Sequence, residues 1–155
     1  MANQHTAPPI LLTIAGFDPS CGAGVAADLK TFAAHGCYGI AAITSLTVQN
    51  TQKVDAVHNT PSAELREQLE VLVCDCEIAA VKVGMLGNRG NAVVVAEFLD
   101  AQDQVGHLQA GQVFLDHLPV DTGLLGDLDD IQFHTRMGQQ IDEKPQDILR
   151  LPVLR

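Results

Sequence analysis

"TIAGFDPSCGAGVAADLK", residues 13–30, leads a short apolar run into a glycine-rich loop and then into a mixed apolar and polar stretch. Such an order predicts a buried strand, a turn and a helix. Gly16, Gly22 and Gly24 bracket a proline and small polar residues, so the loop leaves backbone N–H groups free and lets a ligand come close. Its neighbours extend the pattern. "ILLTIA" (10–15) is an apolar run ending at a glycine, as expected of a buried strand. From Val25, the residues Val25, Leu29 and Phe32 fall on one helical arc, with Gly36 as the stop.

The alternation continues downstream. "CYGIAAITSLTV" (37–48) is strand-like, and "VDAVH" (54–58) suits an extra edge strand. Thr60 and Pro61 form a helix start in which the threonine can cap and the proline suits the first turn; Leu65, Leu69 and Leu72 then recur at helical spacing. "IAAVKVGML" (78–86), "NAVVVAEFLDA" (91–101) and "QVFLD" (112–116) follow as strand, helix and strand. Strands alternating with helices imply an α/β fold, a parallel sheet covered on both faces, because parallel neighbours need long crossovers. Ligands of such sheets sit outside the carboxyl ends of the strands. That directs attention to the loops at 16–24, 47–53, 84–90 and 116–123.

Composition narrows the partners. With 19 acids against 9 bases, a net charge of −10, 4% aromatic residues and no tryptophan, the chain lacks both the cations and the stacking platforms that nucleic acids require. An anionic membrane surface is disfavoured on the same grounds. The uncharged run near the amino terminus, about Thr6 to Phe17, is too short to span a bilayer and has no basic flank. A cytoplasmic protein is expected, with Cys21, Cys37, Cys74 and Cys76 as reduced thiols. "CDC" (74–76) has no second ligand pair at finger-like spacing. Beyond about residue 118 the alternation fails, and residues 119–155 read as a divergent acidic tail, with 1–9 as a flexible amino terminus.

Two phosphate motifs compete for the opening loop. A P-loop needs Lys followed by Ser or Thr after its last glycine, and "GAGVAA" (22–27) has neither. The same six residues match the G-x-G-x-x-A dinucleotide fingerprint, which would suit an NAD-binding oxidoreductase. That fingerprint, however, expects a tight turn directly after the strand and an acid after the second strand, where "ITSLTVQN" (43–50) brings hydroxyls and amides. Asp28 borders the apolar arc of its helix, placing it either inward or simply near the positive helix end. Gln49 carries a donor and an acceptor in one plane, suited to a heterocycle edge or to a polar turn. Met85 is suited to a ring face or to a core. The residues by themselves stop at a small-molecule-binding α/β domain.

Taken together, "LTIAGFDPSCGAGVAADLKTFAAHGCYGIAAITSLTVQNT" (12–51) and "VKVGML" (81–86) resemble the amino-terminal half of the hydroxymethylpyrimidine/phosphomethylpyrimidine kinases of thiamine biosynthesis. The resemblance runs through roughly residues 10–118 and implies a three-layer ribokinase-like fold, apparently truncated. It also implies transfer of the ATP γ-phosphoryl group to a pyrimidine hydroxymethyl or its monophosphate, with magnesium, and allows a homodimer. In this family the glycine loop belongs to the acceptor pocket rather than to the ATP phosphates. Carried over by position, Gly16 would line the pocket, Asp28 would hold polar groups of the aminopyrimidine, Thr47 and Gln49 would contact the ring, and Met85 would pack nearby.

There are departures from the family pattern. Neither the family's Gly-Thr-Gly-Cys anion hole, which carries the catalytic residue, nor its Asn-x-x-Glu magnesium motif occurs in these 155 residues. The family's Asp-Pro-Val appears as Asp116-His117-Leu118, leaving Asp116 as a metal-proximal candidate, and Phe17 and Cys21 replace small loop residues. A catalytically silent pyrimidine-binding remnant is the alternative.

Overall fold

The computed structural model of the chain describes residues 7–106 and the backbone of 113–115. Strand β1 (Ile10–Phe17) enters helix α1 (Gly24–Ala34), and β2 (Tyr38–Gln49) turns into β3 (Val54–Asn59). Helix α2 (Ser62–Asp75), β4 (Ile78–Val83), α3 (Arg89–Gln104) and β5 (Val113–Leu115) complete the order. The sheet runs β3-β2-β1-β4-β5. β1 is parallel to β2 and β4, and β4 is parallel to β5, whereas β3 lies antiparallel on the outer edge of β2. The sheet is therefore mixed rather than purely parallel. The reason is local: "NTQK" (50–53) is a short polar turn, in which Asn50 Oδ1 accepts from Gln52 N at 2.9 Å and Lys53 N at 3.1 Å. A link that short can join only antiparallel neighbours.

Alternation along β1 sorts the two faces. Leu12 and Ile14 pack with Ala42, Val81 and Val83 against Leu65 and Leu69 of α2 and Val94 and Val95 of α3, forming the main core. Burying each of those leucines is worth about 2–3 kcal/mol. The opposite face carries α1, whose Leu29 and Phe32 meet the sheet at Gly39, where an added Cβ would stand 2.6 Å from Leu29 Cδ2. Helices thus cover both faces, as the alternation of elements requires.

Termini follow the sequence with two exceptions, the cap of α2 and the end of β4. Gly36 (φ +74°) stops α1, with Gly36 N donating to Ala33 O at 3.1 Å and Cys37 N to Phe32 O at 3.0 Å. Thr60, expected as the cap of α2, is used elsewhere. Its N–H donates to Thr44 O at 2.9 Å and its hydroxyl to Ile43 O at 2.8 Å, while Pro61 takes the cap position with no side-chain bond. The strand expected over 78–86 ends at Val83, so Gly84, Met85 and Leu86 lie in the loop above it. None of the helices among the described residues is long and apolar enough to cross a membrane. The acidic tail and Asp116 fall outside the described residues.

Candidate functional site

Asp18 organises the glycine loop. It is buried, and its carboxylate accepts from Ser20 N and Ser20 Oγ at 2.7 Å each, from Gly22 N at 3.1 Å and from Ala23 N at 3.0 Å. A hydrogen bond from the Gln49 side chain, followed by those from Ser20, holds its pKa down at about 2. Backbone N–H groups that would otherwise cradle a phosphate are occupied by an internal anion at the positive end of α1. With Ser20 N, Gly22 N and Ala23 N turned to the Asp18 carboxylate, this loop is not arranged as a P-loop or a dinucleotide turn. The Asp-Pro-Ser sequence was the available signal for this role, since an Asp commonly bonds backbone two residues on. The sequence reading did not single it out.

Gly16 is the floor. A Cβ there would come within 2.6 Å of Met85 Cε, so the thioether lies directly on the β1 backbone. Met85 is fixed from behind by Thr44 Oγ1, which donates to its carbonyl at 2.6 Å. Across the floor, Thr47 Oγ1 donates to Phe17 O at 2.9 Å, tying β2 to the end of β1.

A bulge sets which β2 side chains reach this floor. Ala15 pairs with Ile43 but Gly16 pairs with Ser45, leaving Thr44 as an extra residue. Before the bulge, Gly39 faces α1; after it, Ser45 Cβ stands 3.8 Å from the position a Gly16 Cβ would take. Side chains of odd number are thereby switched to the face shared by Gly16 and Met85, and Thr47 and Gln49 go with them. Leu46 and Val48 are turned the other way, half exposed at 53% and 50%.

The structure therefore brings Gly16, Thr47, Gln49 and Met85 to one side of the carboxyl ends of β1, β2 and β4. Asp28 stands apart on the α1 face. Its carboxylate accepts from Thr13 Oγ1 at 2.6 Å and from Lys82 Nζ at 3.0 Å, three residues back from Gly16 and Met85 along their strands. Its polar capacity is directed to the sheet. Among the described residues no group of three or more His, Cys, Asp or Glu side chains is gathered as a metal site, and the four cysteines are free thiols. An open groove between β2 and α2, lined by Ala41, Gln68, Val71 and Leu72, lies away from the strand ends.

Helices on both faces of this mixed sheet make an α/β domain of the ribokinase-like class. Residues 18–113 match the family described as phosphomethylpyrimidine kinase, and the chain belongs to that family. It is 50% identical over 93 residues to the hydroxymethylpyrimidine/phosphomethylpyrimidine kinase of Aquifex aeolicus, covering 60% of this chain and 36% of that one. It is 42% identical over 120 residues to the thiamine biosynthesis multifunctional protein ThiED of Corynebacterium glutamicum, covering 77% of this chain and 15% of that protein. Among solved structures, it resembles the phosphomethylpyrimidine kinase of Clostridium difficile with a TM-score of 0.59 and 41% identity, over 61% of this chain and 41% of that one. It also resembles the pyridoxal kinase of Staphylococcus aureus in complex with AMP-PCP and pyridoxal, with a TM-score of 0.65 and 30% identity over 79% and 44%. The chain spans about a third of the length of the curated single-function kinases it matches.

Proposed function

We propose that this chain supplies the acceptor side of a hydroxymethylpyrimidine/phosphomethylpyrimidine kinase. The observation that carries this is the convergence of Gly16, Thr47, Gln49 and Met85 at the strand ends, produced by the Thr44 bulge. In this proposal, the pyrimidine ring lies against the Met85 thioether, whose close approach only a glycine at 16 permits. Gln49, whose side chain hydrogen-bonds Asp18, reads the ring edge with its carboxamide. Thr47 shapes the rim. Asp28 serves at one remove, by fixing α1 and β4 beneath the site.

The reaction proposed is attack of the hydroxymethyl oxygen on the γ-phosphorus of ATP. The new O–P bond forms, the bond to the ADP oxygen breaks, and the hydroxyl proton leaves to a base. Asp18 is a poor base for that proton, because a carboxylate held at about pKa 2 stays ionised and serves as an acceptor. Magnesium, when bound, would neutralise charge on the transferring group; the described residues provide no gathered ligand set for it, and Asp116 remains a proposal alone. A cytoplasmic setting suits the unpaired cysteines, and a homodimer belongs to the same proposal. A second reading is pyrimidine binding without transfer, supported by the same convergence of Gly16, Thr47, Gln49 and Met85.

Calorimetric titration with 4-amino-5-hydroxymethyl-2-methylpyrimidine, then with ATP and magnesium, followed by coupled ADP release, separates the two. Pyrimidine-dependent ADP release establishes the kinase. Pyrimidine heat without ATP heat or turnover leaves the binding protein, and absence of pyrimidine heat defeats both.

A further inference from the structure

Asn91, in the first turn of α3, is fully buried. Its Nδ2 shares two hydrogens among three carbonyls: Leu86 O at 3.0 Å, and Thr44 O and Thr60 O at 3.3 Å each. Its Oδ1 accepts from Ser62 Oγ at 2.9 Å, which fixes the amide orientation. The backbone N–H of Asn91 in turn donates to Asn88 Oδ1 at 2.9 Å, the N-cap of α3. One side chain thus joins the β2 bulge, the β3–α2 link and the β4–α3 loop.

Thr44 is the extra residue that switches the face of β2. It has no partner in β1, so its conformation depends on what else holds it. Its carbonyl is held by Thr60 N and Asn91 Nδ2, and its hydroxyl is spent on Met85 O. We propose that Asn91 is a positioning residue for the acceptor site, locking the Thr44 bulge and the Leu86 carbonyl so that Thr47, Gln49 and Met85 are presented on one face. This rests on the acceptor-site proposal above. An apolar residue of similar size would fill the space yet take the Asn91 donor from the Leu86 and Thr60 carbonyls and leave Thr44 O with Thr60 N, so that the bulge would lose one of its anchors.

The test uses the full chain and three variants. Asn91→Leu keeps the volume and removes the donors; Asn91→Ser keeps one hydroxyl donor in a smaller side chain. Leu69→Ala is a core control of comparable destabilisation away from the loops. At a temperature where circular dichroism shows each variant folded, Asn91→Leu should bind the pyrimidine alcohol at least about tenfold more weakly, and Leu69→Ala within about twofold of the parent chain. Amide hydrogen exchange at Ser45, Leu46 and Thr47, taken relative to Leu12 and Ile14, should quicken about tenfold in Asn91→Leu and not in Leu69→Ala. Equal affinity in Asn91→Leu, or an equal loss in Leu69→Ala, overturns the proposal. If Asn91→Leu does not fold, Asn91→Ser is held to the same criteria with an expected loss of about threefold. Should the parent chain take up no pyrimidine, the functional proposal fails, and the exchange ratio alone decides the role of Asn91.

Discussion

At the scale of single residues, Asp18 and Cys21 carry opposite signs. The Asp18 carboxyl falls from its ordinary 3.8 to about 2 on folding, so the unfolded chain binds its proton first as pH drops. Its stabilising contribution is whole above about pH 5 and is lost progressively as pH falls toward 2. Asp18→Asn should show a shallower loss of urea midpoint between about pH 5 and pH 2 than the parent chain. Identical acid limbs would show that the loop bonds add nothing. Cys21 sits at φ +58°, a left-handed conformation that a side chain resists. Cys21→Gly relieves about 1–2 kcal/mol of strain and returns about 0.5–1 kcal/mol in unfolded-state entropy. A net gain of about 0.5–1 kcal/mol in denaturant unfolding is expected; a loss would mean that the thiol or its Cβ contributes contacts that outweigh the strain.

At the scale of elements, Asp28 and Lys82 staple α1 to β4 with side chains only 16% and 17% exposed. Removing the Asp28 carboxylate takes away the acceptor shared by Lys82 Nζ and Thr13 Oγ1 in a partly buried layer, so Asp28→Ala should cost about 3 kcal/mol. Replacing both, as Asp28→Leu with Lys82→Met, should recover most of that loss, and a double-mutant cycle reads the difference. Additive costs would show the pair to be uncoupled. The same elements mark what the sequence disclosed. Apolar runs and helical spacing located every described helix and strand, because local hydrophobic period decides these segments. "VDAVH" was legible as an edge strand, and its antiparallel direction follows from the shortness of "NTQK". The role of Thr60 was not legible, since a threonine before a proline looks the same whether it caps a helix or bonds a neighbouring strand. The bulge at Thr44 and the hub at Asn91 were invisible for a similar reason. Both are agreements between segments distant in the chain, and nothing in "ITSLTV" or "NAVVV" alone announces them. Asp28, Gln49 and Met85 stand out by residue type and position, each with a structural alternative that only the resemblance of long motifs weighs against; Thr47 and the pocket role of Gly16 come from that resemblance alone. The geometry supplies a physical reason for the company of Gly16, Thr47, Gln49 and Met85, whereas the Asp28 carboxylate is engaged by Thr13 and Lys82.

At the scale of the whole molecule, a site for an acceptor is distinct from a machine for phosphoryl transfer. The described residues bring Gly16, Thr47, Gln49 and Met85, the proposed acceptor contacts, to the strand ends, yet transfer also requires donors aimed at the moving phosphoryl group. If the acceptor side is fully formed here, it should work when joined to a donor side made by a relative. Residues 7–115 of this chain, replacing the matching segment of the Aquifex aeolicus kinase to which it is 50% identical over 93 residues, make that test. The chimera should release ADP in the presence of 4-amino-5-hydroxymethyl-2-methylpyrimidine, and Gln49→Ala within it should raise the pyrimidine KM at least about tenfold with a smaller change in kcat, since an edge contact contributes mainly to ground-state binding. A folded chimera that binds ATP but shows no pyrimidine-dependent release would mean that these strand ends do not hold the alcohol in line for attack. A chimera active with Gln49→Ala at an unchanged KM would remove the carboxamide from ring recognition while leaving the fold and the Thr44 bulge intact.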